Sequence, residues 1–163
     1  NIDKNKFYKK TSLIFETDLE LMFPSDFINS SKERLKLYTK LNKINIIDEL
    51  NELKLELADR FGSLPEIVVE LLKSIELRWL AIELGFEKII LKKNMLLAFV
   101  KDFNNNKQKK NLDKLFKYSF KPSSKITFSQ KKKLDGDRFI VKLTDIDSIS
   151  KAIKILEEIK RLI

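Results

Sequence analysis

Three pairs of carboxylates, Asp135/Asp137, Asp145/Asp147 and Glu157/Glu158, come closest in type and spacing to an acid–base or two-metal device. Such devices hold their carboxylates together in a cleft. The first two pairs fall at a turn and a helix start, where Asp serves the backbone, and the third lies on the terminal helix. None receives a catalytic assignment. The chain has no His and no Cys, which excludes a Ser-His-Asp device, a thiolate nucleophile, thiolate zinc sites and disulfides. Gly62, Gly85 and Gly136 are scattered, so neither a P-loop nor a dinucleotide loop can be built. No catalytic residue, metal ligand or cofactor site is expected in this chain.

Charge is distributed unevenly. The net charge is +9. Residues 1–85 carry 13 basic and 15 acidic groups, whereas residues 86–163 carry 20 and 9. The second half therefore attracts acidic partners, nucleic acid among them. The competing reading is lysine enrichment without a role: there are 28 Lys and 5 Arg, and base or phosphate readers lean on arginine. Lys131-Lys132-Lys133 is the densest cationic run, a contact for phosphate or an acidic surface if it is more than a solvated loop tip. Phe128, on the same face as Ile126, is expected to point into the core.

The helix predicted over 45–61 carries a second charged feature. At about 100° per residue, Glu49, Glu52, Glu56 and Asp59 share one side, and Arg60 lies between them and the Leu50/Leu53/Leu57 stripe. Glu56 and Asp59 fall in the last turns, where the helix dipole disfavours negative charge. Either this is a docking face for a basic surface, or it is a solvated face with an internal Glu56–Arg60 pair at i, i+4. Composition alone favours the solvated face.

The elements that must position these residues follow from periodicity and caps. Residues 1–15 read as a tail left by a preceding element, in a chain that opens at Asn1 as though excised from a larger protein. Alternation over 16–23 (ETDLELMF) predicts a strand ended by Pro24. Ser30 to Glu33 is a capping box opening a helix to about Asn42, with Leu35, Tyr38 and Leu41 as its apolar stripe. Gly62 ends the second helix. Ser63-Leu64-Pro65-Glu66 opens a third helix that is apolar nearly all round, contains Trp79 and closes at Gly85. Residues 88–93 and 95–101 predict two strands joined at Asn94. A polar loop is expected over 102–110, then a short helix over 111–118 with Leu112, Leu115 and Phe116 inward. Residues 125–130 and 138–143 alternate as strands around the Asp135-Gly136 turn. Asp145 or Asp147 caps a last helix lined by Ile149, Ile153, Leu156, Ile159 and Ile163.

The expected fold class is α+β. A strand and three helices (16–85) precede a β-β-α-β-β-α lobe (86–163) with a small mixed or antiparallel sheet. No apolar run reaches the roughly 20 residues of a membrane span, so no membrane partner and a cytoplasmic location are expected.

Phe23-Pro24-Ser25-Asp26-Phe27-Ile28, Arg34-Leu35 and Leu37-Tyr38 resemble the entry to the C-terminal domain of the bacterial transcription-repair coupling factor (Mfd). The segment from Glu49-Leu50 through Glu56-Leu57-Ala58-Asp59-Arg60-Phe61-Gly62-Ser63-Leu64-Pro65 is similar to that domain's most diagnostic stretch. Leu77-Arg78, Ala81 and Leu84-Gly85 continue the likeness, which loosens from Phe86 onward. The resemblance implies a non-catalytic regulatory domain of an ATP-driven DNA translocase that removes stalled RNA polymerase and recruits UvrA. ATP and Mg would belong to motor modules outside this chain. It implies an autoinhibitory clasp that packs on an N-terminal UvrB-like module and masks its UvrA-binding surface. The clasp residues carried over are Glu56, Asp59 and Arg60. The reading from another class is a basic nucleic-acid-binding module using the Lys-rich second half.

Overall fold

The computed structural model describes residues 13–163. Of the tail expected over 1–15, residues 1–12 lie outside the described residues, and Ile14 and Phe15 belong to a strand. The elements run β1 (Ile14–Thr17), α1 (Ser31–Asn42), α2 (Ile47–Phe61), α3 (Glu66–Glu83), β2 (Lys88–Lys92), β3 (Met95–Val100), α4 (Asn106–Ser119), β4 (Ile126–Lys131), β5 (Arg138–Thr144) and α5 (Ile149–Arg161). The fold is the expected α+β arrangement. Two compact units are present: one is Glu20–Ile75, the other takes in β1 and Glu76–Ile163. The division thus falls inside α3, whereas the sequence suggested a lobe boundary near Gly85.

In the first unit, α1 begins as its sequence dictates, with Ser30 Oγ accepting the Glu33 N–H at 3.2 Å. The apolar stripe differs from expectation. Leu37 and Leu41 are buried, while Leu35 is 68 % exposed. The Tyr38 hydroxyl accepts the Phe23 N–H at 2.8 Å, and the two rings lie 4.9 Å apart, so Tyr38 faces the Phe23 side and turns Leu35 outward. Helix α2 buries Leu50, Leu53 and Leu57 as expected. Its C-cap is Gly62, at φ +88°, whose N–H donates to Ala58 O at 3.0 Å. Helix α3 is enclosed along its length: every residue from Ile67 to Glu83 is buried or half-buried, Trp79 among the buried ones.

The second unit holds a five-stranded sheet of order β1-β2-β3-β5-β4. β1 runs parallel to β2 and the other pairings are antiparallel, so the sheet is mixed. β1 is earlier and shorter than the strand expected over 16–23. Thr17 Oγ1 donates to Leu91 O at 2.7 Å and accepts the Leu19 N–H at 3.1 Å, which turns the chain out of the ladder. Lys93 and Asn94, at φ +52° and +58°, make the tight β2–β3 turn. The register places Ile89, Leu91, Leu96, Ala98, Val141 and Leu143 on one face, all buried.

Helix α4 starts five residues before its expected first residue. Asn105 caps it by accepting the Gln108 N–H at 2.9 Å, so part of the supposed Asn/Lys loop is helix. Phe116 is 40 % exposed rather than inward, its ring 4.9 Å from Phe128 and 5.8 Å from Phe139. Phe128 is accordingly half-buried in an aromatic cluster. Helix α5 is capped by Ser148, which accepts the Lys151 N–H at 3.1 Å, not by Asp145 or Asp147. Asp145 instead takes a left-handed backbone (φ +58°) and pairs with Lys125. Ile149, Ile153, Leu156 and Ile159 are buried along α5, whereas Ile163 is fully exposed beyond its end.

Candidate functional site

The charged side of α2 is built by two helices. Glu56, five residues before the end of α2, accepts from Lys40 Nζ of α1 and from Arg60 Nη1 at 3.2 Å. Arg60 Nη2 donates to the Glu33 carboxylate, and its guanidinium lies 4.8 Å from the Phe61 ring centroid. The result is a chain of alternating charge, Glu33–Arg60–Glu56–Lys40, crossing from one helix to the other. Glu33 therefore does not spend its carboxylate on the reciprocal half of a capping box. The Lys40 ammonium, aided by Arg60, holds the Glu56 carboxyl below the ordinary glutamate range. The Glu33 carboxylate, with Glu56, raises Arg60 further above its already high value.

Asp59 is different. It is exposed and has no hydrogen-bond or ion-pair partner among the described residues. The three candidates from the sequence thus share one surface but not one state. Glu56 and Arg60 are tied into the network, and Asp59 alone is free. The i, i+4 pairing foreseen for Glu56 and Arg60 is present, together with partners from α1 that no local spacing could announce. The remaining α2 acids also separate. Glu49 Oε2 accepts the Asn45 N–H at 3.1 Å, in a helix whose N-cap, Ile46, offers no side-chain cap. Glu49, Glu52 and Glu56 line a groove of about 330 Å³ with Lys40, Lys43, Ile44 and Leu53.

One contributor escaped the sequence reading. Leu55 is 72 % exposed. At about 100° per residue it falls with Asp48, Glu52 and Asp59 on the side of α2 opposite the Leu50/Leu53/Leu57 stripe. The helical spacing alone is enough to put Leu55 on this side. The face is therefore an apolar side chain flanked by carboxylates, beside a groove with fixed charges.

Lys131, Lys132 and Lys133 are exposed at the end of β4 and in the loop that follows it, in the other compact unit from Glu56, Asp59 and Arg60. Four of the six paired carboxylates form ion pairs: Asp135 with Arg138, Asp145 with Lys125, Glu157 with Arg161 and Glu158 with Lys121. Among the described residues no group of three or more His, Cys, Asp or Glu is placed to hold a metal, and no helix is long and apolar enough to cross a membrane.

The chain has relatives among known proteins. The family model described as the TRCF domain matches residues 17–112. The transcription-repair-coupling factor of Escherichia coli (strain K12) is 40 % identical over 78 residues, 45 % of this chain and 7 % of that protein. That of Buchnera aphidicola subsp. Baizongia pistaciae is 29 % identical over 147 residues, 83 % of this chain and 21 % of that protein. The chain thus spans a minor part of the curated relatives it matches. A solved structure, the crystal structure of the C-terminal domain of transcription-repair coupling factor, shares the fold with a TM-score of 0.64 at 14 % identity, over 91 % of this chain and 92 % of that one. With more than half its length matched by the family model, this chain belongs to the TRCF domain family.

Proposed function

We propose that this chain is the non-catalytic, C-terminal regulatory domain of a transcription-repair coupling factor, and that it acts as an autoinhibitory clasp. The parent protein would be a cytoplasmic ATP-dependent DNA translocase acting on stalled RNA polymerase, with ATP and Mg bound by its motor modules. The clasp packs on the N-terminal UvrB-like module and masks the surface that recruits UvrA.

The observation that carries the reading is the Asp59 carboxylate at the C-terminal end of α2, without a partner among the described residues, beside the Glu33–Arg60–Glu56–Lys40 network. A free anion at the negative end of a helix dipole gains nothing for the helix. A basic side chain of the N-terminal module would give it a charge-assisted hydrogen bond. Glu56 and Arg60, already held in place, would meet the partner without first losing side-chain freedom. Each shielded contact contributes on the order of 1–3 kcal/mol, and a few such contacts suit a latch that must open.

The test is UvrA binding by the full-length protein carrying Glu56→Ala and Asp59→Ala together. UvrA affinity rises while the domain stays folded. An affinity that remained at the parent level would remove the clasp.

A further inference from the structure

The β4–β5 hairpin ends in an exposed tip, Lys131-Lys132-Lys133-Leu134, with Leu134 fully in solvent. None of the three lysine side chains has a hydrogen-bond or ion-pair partner among the described residues. The acids of the same loop each have a partner within the hairpin. Asp135 Oδ2 accepts from Arg138 Nη2 at 2.8 Å and lies 3.9 Å from Lys101 Nζ. Asp137 accepts from Gln130 Nε2 at 3.4 Å. Arg138, only 4 % exposed, also donates to Gly136 O at 2.6 Å and to the Glu87 carboxylate. It stands opposite Lys131 as the last pair of the ladder. A buried guanidinium therefore fixes the base of the loop and pairs with the exposed Asp135 carboxylate, so the run Lys131-Lys132-Lys133 carries the excess charge of the tip.

We propose that this hairpin tip is a docking point for duplex nucleic acid, with Lys131, Lys132 and Lys133 meeting successive phosphates. The proposal stands apart from the clasp reading of α2. Lysine ammoniums on flexible stems are point charges, and they suit a partner whose charge is dense, regular and independent of sequence. A duplex carries about one negative charge per 1.7 Å of axis. Discrete carboxylates on a protein surface are better matched by the planar arginine fork, and the tip has no arginine. The excess of 20 basic over 9 acidic groups in residues 86–163 adds attraction at longer range. Anchoring by Arg138 keeps the lysines close together, which reduces the ordering that binding must impose.

The experiment is a titration of a short labelled duplex with the whole chain over a series of salt concentrations, for the parent, for Lys131→Gln/Lys132→Gln/Lys133→Gln, and for Leu134→Ser. The three lysine positions are exposed, so the substitutions leave the fold intact, which circular dichroism verifies. The parent binds with a steep salt dependence. The triple variant loses on the order of tenfold or more in affinity at low salt, and its slope of log K against log salt flattens by up to about 3. Leu134→Ser removes no charge and leaves the slope unchanged. Two results would overturn the proposal: no duplex binding by the parent, or an unchanged slope and affinity in the triple variant.

Discussion

Asp59 and Glu56 lie three residues apart on the same helix and have opposite circumstances. Glu56 is held between two cations, Lys40 and Arg60, whereas Asp59 has none among the described residues. The consequences for substitution differ accordingly. Asp59→Ala removes a charge the fold does not use, so thermal denaturation should show a change within about 0.5 kcal/mol of the parent. Glu56→Ala leaves Lys40 without its partner and Arg60 with Glu33 alone, a loss of up to about 1 kcal/mol for an exposed network. The pH dependence follows from the lowered Glu56 carboxyl. A carboxyl whose folded pKa is depressed stabilises the fold above its unfolded pKa and loses that contribution as pH falls through the folded value. The network should therefore be unchanged from neutral pH down to the ordinary glutamate range and weaken only below it. A carboxyl-detected NMR titration of Glu56 reads this directly; a midpoint at or above the ordinary glutamate value would show that the Lys40 and Arg60 contacts do not persist in solution.

At the scale of the elements, α1 and α2 form a frame whose rigidity depends on residues far from Asp59. Leu57 is fully buried on α2. Leu57→Ala should cost about 2–5 kcal/mol in chemical denaturation, by lost burial and a residual cavity. Ser30→Ala removes the α1 cap and should cost about 0.5–2 kcal/mol. Much of this frame was legible in the sequence because caps and periodicity are local signals: Ser30, Gly62 and the Leu50/Leu53/Leu57 stripe each sit where their spacing indicates. The misplacements have physical causes of the same kind. Asn105 caps α4 from within a run of asparagines that reads as loop. Ser148 takes the α5 cap because Asp145 turns left-handed and pairs with Lys125. Spacing predicts Leu35 inward, yet Tyr38 turns toward Phe23 and sets the helix the other way. At the candidate site, local spacing groups Glu49, Glu52, Glu56 and Asp59 on one side with Arg60 at its edge, and the solvated-face reading includes the Glu56–Arg60 pair that the structure shows; the family resemblance alone singles out Glu56, Asp59 and Arg60. Spacing could not supply Lys40 and Glu33, which come from another helix. It could have supplied Leu55.

For the whole molecule, two surfaces of opposite character lie in different compact units, the acidic and apolar side of α2 in one and the cationic hairpin tip in the other. Membership in the TRCF domain family covers both units, since the matched residues 17–112 run from β1 into α4. The burial pattern makes a further prediction about relative stability. Helix α3 has no fully exposed residue between Ile67 and Glu83, whereas residues 131–136 are exposed throughout. Hydrogen exchange read by mass spectrometry should find the α3 amides among the slowest in the chain and those of 131–136 among the fastest. Comparable protection in the two segments would contradict the packing described for α3.

The most direct measurement for the clasp is a titration of this chain with the separately produced N-terminal module of its parent protein, repeated with Asp59→Lys. The account predicts a saturable complex that weakens as salt rises, and a loss on the order of tenfold or more when the Asp59 charge is reversed. An unchanged affinity for Asp59→Lys, or no complex with the parent chain, would mean that the α2 face does not receive that module.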